Sequence, residues 1–175
     1  MTLYTIGHST RTIDDLIQTL MAHQIQTLVD IRAFPMSKRL PQFNRESLEK
    51  TLPGSGISYV WMQTLGGYRK KILPESPNIA LRHDSFRNYA DYMLTPEFEN
   101  ASAELLQLVA QLKTVYMCVE WVYFCCHCML VLDWLITHQQ DMQHIDGTNP
   151  TKPHRLTTEA RMIEGRLIYR GDRLL

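Results

Sequence analysis

The chain has 175 residues, ordinary soluble composition and a formal net charge of zero. That length is most simply one domain, large enough to bury a core without disulfides or structural metal. Zero net charge gives no global argument for a nucleic-acid or membrane partner.

In chain order, Tyr4-Thr5-Ile6 predicts a first strand, ended by Gly7-His8-Ser9. Thr12 is a cap for a helix whose Ile13, Leu16, Ile17 and Leu20 share a face, with Asp14 and Asp15 in its first turn. Gln26–Ile31 predicts a second strand, ending at Asp30-Ile31-Arg32. After a loop with Pro35, Lys38, Arg39 and Pro41, Asn44 caps a short helix through Lys50, broken by Pro53-Gly54-Ser55-Gly56. Ile57–Met62 predicts a third strand, leading into Leu65-Gly66-Gly67. Residues 68–83 read as a long basic loop, and loops of that length in compact domains are usually functional or mobile.

Asp84 or Ser85 opens a helix through Met93, in which Phe86, Tyr89, Tyr92 and Met93 fit core packing better than base stacking. Thr95-Pro96 starts another, with a stripe of Phe98, Ala101, Leu105, Leu108 and Leu112. Val115–Val119 predicts a buried fourth strand, Cys126–His138 an apolar helix and Met142–Ile145 a fifth strand. The tail, 146–175, reads as irregular, with a short strand at Arg166–Tyr169. Strands alternating with helices imply a single-domain, three-layer α/β sandwich around a mostly parallel sheet of about five strands.

Ligands of such sheets bind beyond the carboxyl ends of the strands. That rule gathers His8 and Ser9, Asp30 and Arg32, Gly66 and Gly67, and Glu120, Cys126 and His127 around one rim. Charge is uneven: residues 32–87 hold ten Lys/Arg against four Asp/Glu, and residues 88–141 one against seven. A basic segment beside a cleft suits an anion, although charge runs are more often solvated surface. The start of the chain lacks a signal-peptide pattern, so a cytoplasmic home is expected. The run 115–137 is interrupted by Glu120 and Asp133, which leaves too short an uncharged stretch for a membrane span.

Several motifs carry a family resemblance. Thr5-Ile6-Gly7-His8-Ser9-Thr10-Arg11, Val29-Asp30-Ile31-Arg32, Pro41-Gln42-Phe43-Asn44-Arg45, Leu65-Gly66-Gly67, the stretch from Ser85 to Met93, and Pro153-His154-Arg155-Leu156-Thr157 occur in the same order as in the domain of unknown function 488 family. The resemblance covers essentially the whole chain and implies a compact α/β domain. Members often carry a DNA-repair label, but the family supplies no established reaction. Its pattern after the fourth strand resembles Cys-Glu/Ala-Glu-x5-Cys-His-Arg. Here Glu120, Cys126 and His127 match, while Cys125 and Cys128 stand where Arg is expected and Tyr123 where Pro is common. Two missing guanidiniums weaken an anion-binding role for that turn.

The four cysteines, at 118, 125, 126 and 128, form no disulfide framework. Cys126, in or before the first turn of a helix, could be a thiolate nucleophile, with Glu120 as acid or base and His127 or His8 assisting. It could equally be a small core residue, and a negative Glu120 nearby would raise its pKa. Cys125-x-x-Cys128 is a lone dithiol or zinc signal without the second pair that zinc sites usually have. No cofactor is therefore expected, with zinc there as an alternative. Gly66-Gly67 allows close backbone approach.

The leading expectation is a rim pocket for a small nucleotide- or phosphate-like anion. His8, Ser9, Arg11, Arg32, Arg39, Asn44, Arg45, Gly66 and Gly67 would line it. Asp30 would position a cation or pair with one to hold its loop, and Glu120 would serve a hydrolase or transferase as acid or base. The alternative is a nucleic-acid-binding accessory protein using basic loops 32–45 and 68–82. A thiol redox or zinc protein comes third.

Overall fold

A computed structural model describes residues 1–120 and 126–171. Cys125 and Tyr123, and with Cys125 the expected Cys125/Cys128 pair, lie outside the described residues. The strands are β1 (Thr2–Gly7), β2 (Thr27–Asp30), β3 (Ser58–Trp61), β4 (Thr114–Cys118), β5 (Asp141–His144), β6 (Lys152–Pro153), β7 (Ala160–Ile163) and β8 (Arg166–Tyr169). The helices are α1 (Ile13–Ala22), α2 (Arg45–Thr51), α3 (Asp84–Tyr92), α4 (Pro96–Gln111) and α5 (Cys128–Thr137).

Strands β1 to β6 form one sheet in the order β3-β2-β4-β1-β5-β6. The first five are parallel, and β6 joins β5 antiparallel. The sheet is thus mostly parallel, as expected, with five parallel strands and the two-residue β6 added at its edge. The tail is also more ordered than expected: besides β6, the Arg166–Tyr169 strand pairs with β7 in a separate hairpin. A two-residue strand such as β6 is too short to show any alternation in sequence.

Side-chain alternation along the strands sorts two cores. Val115 and Met117 of β4 face α1 and α2, with Leu16, Leu20 and Leu48. Tyr116 and Cys118 face α3, α4 and α5, with Tyr89, Leu105 and Leu130. Helices thus cover both faces. Thr12 and Thr95 cap α1 and α4, accepting from the backbone N–H of Asp15 and Phe98. Asn44 precedes α2 but makes no side-chain cap. Its Oδ1 instead accepts from the Ser37 N–H and braces the loop. Helix α5 begins at Cys128, two residues later than expected, so Cys126 lies before the helix and not in its first turn.

The loop from 68 to 83 has no helix or strand and is pinned by the buried Asn78. That side chain donates to Asp91 of α3 and accepts from the Tyr169 N–H of β8. Among the described residues, no helix is long and apolar enough to cross a membrane.

Candidate functional site at the carboxyl rim

The chain leaves β1 toward β2, and leaves the neighbouring β4 in the other direction, toward β5. Connections that part this way open a crevice at the strand ends, where doubly wound sheets bind ligands. The β1–β4 pairing runs past the strands: His8 N–H donates to the Cys118 carbonyl (3.1 Å) and Ser9 N–H to that of Val119 (2.8 Å). Ser9 takes a left-handed φ of 45° to make that turn. Glu120 follows, exposed, at the mouth of the crevice.

Behind the mouth lies a buried polar knot. Asp30, fully buried, accepts from Arg32 Nε (2.8 Å), Arg32 NH2, the Arg32 N–H (3.0 Å) and Tyr59 OH (2.7 Å). The same guanidinium donates to the Phe43 carbonyl (2.6 Å) and to His8 Nε2 (3.3 Å). Arginine can only donate, so His8 Nε2 is the acceptor and its Nδ1–H donates to the Ser9 carbonyl (2.9 Å). Burial first, and then the neighbouring Arg32 charge, pull the His8 pKa down from 6.5 to about 4. His8, stacked on Phe43, is therefore neutral near pH 7. Asp30 and Arg32 hold each other and the β2 loop, the second of the two roles open to Asp30 in sequence.

The remaining expected ligand residues are dispersed. Arg11 is buried and pairs with Asp15. Arg39 is exposed on its loop. Arg45 pairs with Glu49 and lies over the Trp61 ring, in a separate depression that Asn44 also lines. Gly66 and Gly67 do serve close approach. A Cβ on Gly66 would stand 2.7 Å from Ala33 Cα, and one on Gly67 would overlap the His127 ring.

The thiols converge more tightly than their sequence positions imply. Cys126 Sγ lies 2.6 Å from Cys118 Sγ, 3.2 Å from His127 Nδ1 and 3.5 Å from Cys128 Sγ. Hydrogen bonding from Cys118 lowers the Cys126 pKa, and the same contact raises that of Cys118. Cys118, read as an interior strand residue, ends β4 and reaches this cluster. Among the described residues, these four side chains form a group that could hold a metal.

Sequence reasoning missed a second constellation. Asp133 of α5, fully buried, accepts from His154 Nε2 (3.0 Å), the Thr157 N–H (3.0 Å) and Tyr169 OH (3.0 Å). His154 Nδ1 in turn meets His144 Nε2 at 3.1 Å. Asp133, His154 and His144 thus form a hydrogen-bonded Asp–His–His relay. Burial first, then His154 and Lys152, lower the His144 pKa to about 4. The signal for it was the Pro153-His154-Arg155 motif, whose partners are too far off in sequence to be read.

The relay opens on a cavity of about 510 Å³ beside β1, β4 and β5, lined by Glu120, His144, Lys152, Arg155 and the thiols. A second cavity of about 450 Å³ lies on the other side of Glu120, against Arg32, Phe34, Gly67, Tyr68 and His127.

Fold and site together define a doubly wound α/β protein with a pocket at its strand switch point. A family model described as a domain of unknown function, DUF488, matches residues 12–135. The chain belongs to that family, as its motifs led one to expect. No curated protein and no solved structure gives a significant match to the chain.

Proposed function

We propose that the rim pocket beside β1, β4 and β5 takes a small anionic ligand, phosphate-bearing or nucleotide-like, for hydrolysis or group transfer. The observation that carries this reading is the 510 Å³ cavity at the switch point, which places Arg155 and Lys152 beside Glu120 and His144. Arg155 is the anion fork, and Lys152, paired to Asp146 at 3.1 Å, is the second cation. Glu120, exposed and at the mouth, is the acid or base toward the ligand. His144 is neutral near pH 7 and oriented by His154 and Asp133, as a proton acceptor requires. The Asp30–Arg32–His8 knot positions the floor of the crevice rather than contacting the anion.

The test is titration of inorganic phosphate and of nucleoside mono-, di- and triphosphates, followed by amide chemical shifts. Binding should perturb residues around Arg155 and Glu120, and Arg155→Ala should weaken it at least tenfold. Glu120→Gln should leave affinity within a few-fold and abolish any turnover of the bound compound. Unchanged affinity in Arg155→Ala would overturn the reading.

A second reading has its own support. Phe34 and Tyr68 are 69% and 67% exposed, pack edge to face 5.9 Å apart, and sit at the basic loops 32–45 and 68–82. An exposed aromatic pair among cations is a stacking platform for single-stranded nucleic acid. Such binding should weaken steeply with salt and fall on Phe34→Ala, whereas binding in the pocket beside Arg155 should weaken less with salt and be unaffected by Phe34→Ala.

A further inference from the structure

Strand β4 and helix α5 bring three thiols and one imidazole to a point. Cys118 is the last residue of β4, Cys126 and His127 immediately precede α5, and Cys128 opens it. One ligand atom from each lies within 4.8 Å of every other. Cys118 and Cys128 are almost fully buried, at 4% and 1% exposure. His127 turns Nδ1 toward the thiols, 3.2 Å from Cys126 Sγ, and its other nitrogen, Nε2, is buried with no hydrogen-bond partner among the described residues. Its ring packs against Gly67, where any side chain would collide with it.

We propose that Cys118, Cys126, His127 and Cys128 form a structural zinc site. Three thiolates and an imidazole are a standard closed donor set for tetrahedral zinc, with bonds of about 2.3 Å to sulfur and 2.0–2.1 Å to nitrogen. Those bond lengths separate the donors by roughly 3.5–3.8 Å. From Cys126 Sγ, the distances to Cys128 Sγ (3.5 Å) and His127 Nδ1 (3.2 Å) are close to that geometry. Cys118 Sγ, at 2.6 Å, must withdraw by about 1 Å, within reach of a small side-chain rotation. Soft sulfur donors select zinc over magnesium or calcium.

Four protein donors leave no open position, so the ion is structural. It clamps the end of β4 to the start of α5 and thereby fixes Glu120, which lies between Cys118 and Cys126 in the chain. The set is also this chain's own: Cys128 occupies the position where the family resemblance places an arginine. It differs from the Cys125/Cys128 pair that the sequence suggests, and it shares no ligand with the anion-binding Arg155 and Lys152.

The experiment is zinc analysis of the full chain, purified under reducing conditions and desalted. About one zinc per chain is expected in the wild type and in Cys125→Ser, and less than a tenth of that in Cys126→Ser and Cys128→Ser. Because a buried variant can misfold, the wild type gives a second readout. Cobalt added to the chelated protein should produce thiolate-to-cobalt charge-transfer bands and intense tetrahedral d–d bands. Zinc should slow alkylation of three thiols at least tenfold. Reduced wild-type protein that takes up neither metal would overturn the proposal. So would loss of zinc in Cys125→Ser, or a Cys118–Cys126 disulfide in protein that stays metal-free after reduction. Because the thiols also line the anion cavity, zinc content and phosphate affinity are measured on the same wild-type and Arg155→Ala preparations: zinc without phosphate binding fails the anion reading alone, and phosphate binding without zinc fails the zinc site alone.

Discussion

Replacing Arg32 with Met tests whether the Asp30–Arg32 pair is a pillar of the fold. The substitution keeps an unbranched apolar stem and removes the guanidinium. Asp30, with no exposed surface, then loses two side-chain donors and keeps the Tyr59 hydroxyl and the residue 32 N–H. The Phe43 carbonyl and His8 Nε2 lose their donor as well. Stranding one member of a buried ion pair costs about 3–5 kcal/mol. In a chain of this size each kcal/mol moves Tm by about 2–4 °C, so a fall of roughly 6–20 °C is expected. The double variant Asp30→Asn/Arg32→Met removes both charges, and Tyr59 can still donate to the amide oxygen. It should recover more than half of the loss, because a neutral replacement of a buried pair is often close to neutral. Urea unfolding followed by far-UV circular dichroism gives both values, provided the transition is two-state. A single-variant cost below about 1 kcal/mol, or a double variant as unstable as the sum of its singles, would refute the reasoning.

Three further outcomes are expected. Gly67→Ala drives a methyl group onto the His127 ring and should cost about 1–3 kcal/mol; a neutral result in denaturant would mean that the ring moves freely. His8 is protonated more readily unfolded (pKa 6.5) than folded (about 4), so the stability from keeping it neutral is complete above pH 6.5 and is lost as pH falls toward 4. That loss amounts to at most about 3 kcal/mol, His144 acts in the same direction, and His8→Asn should flatten the slope of stability across this window; an unchanged slope would discard the assignment. Thr12→Ala removes the cap of α1 and should cost about 1 kcal/mol in the same unfolding assay, against little change for Thr10→Ala, a neighbour that caps no helix.

The alternating and helical periods of the chain carried most of the fold. The apolar stretch around Tyr116, the Thr12 and Thr95 caps, and the stripe of Phe98, Ala101 and Leu105 are local signals, and each element formed within a few residues of its expected bounds. Two local details differ from expectation, while α2 still starts at Arg45. Asn44 was drawn to the Ser37 N–H instead of capping α2, and α5 starts after His127.

The site was less legible. Asp30 and Arg32 could be read in two ways, because a two-residue separation at a strand end permits both a mutual pair and a ligand contact. Only burial, with Phe43 and His8 arriving from other segments, makes the pair the outcome. Asp133, His144 and His154 belong to a helix, a strand and a tail, and no spacing rule connects them.

By itself the sequence determined the alternating α/β order and the family. These depend on short-range periodicity and on motifs that survive without coordinates. The tertiary structure decided which polar residues are consumed in holding the rim and which line its cavity. It also decided that Cys118 joins Cys126, His127 and Cys128. Strand pairing brings groups from distant segments within bonding distance, and the burial that follows determines whether a charge, a thiol or an imidazole is spent on a neighbour.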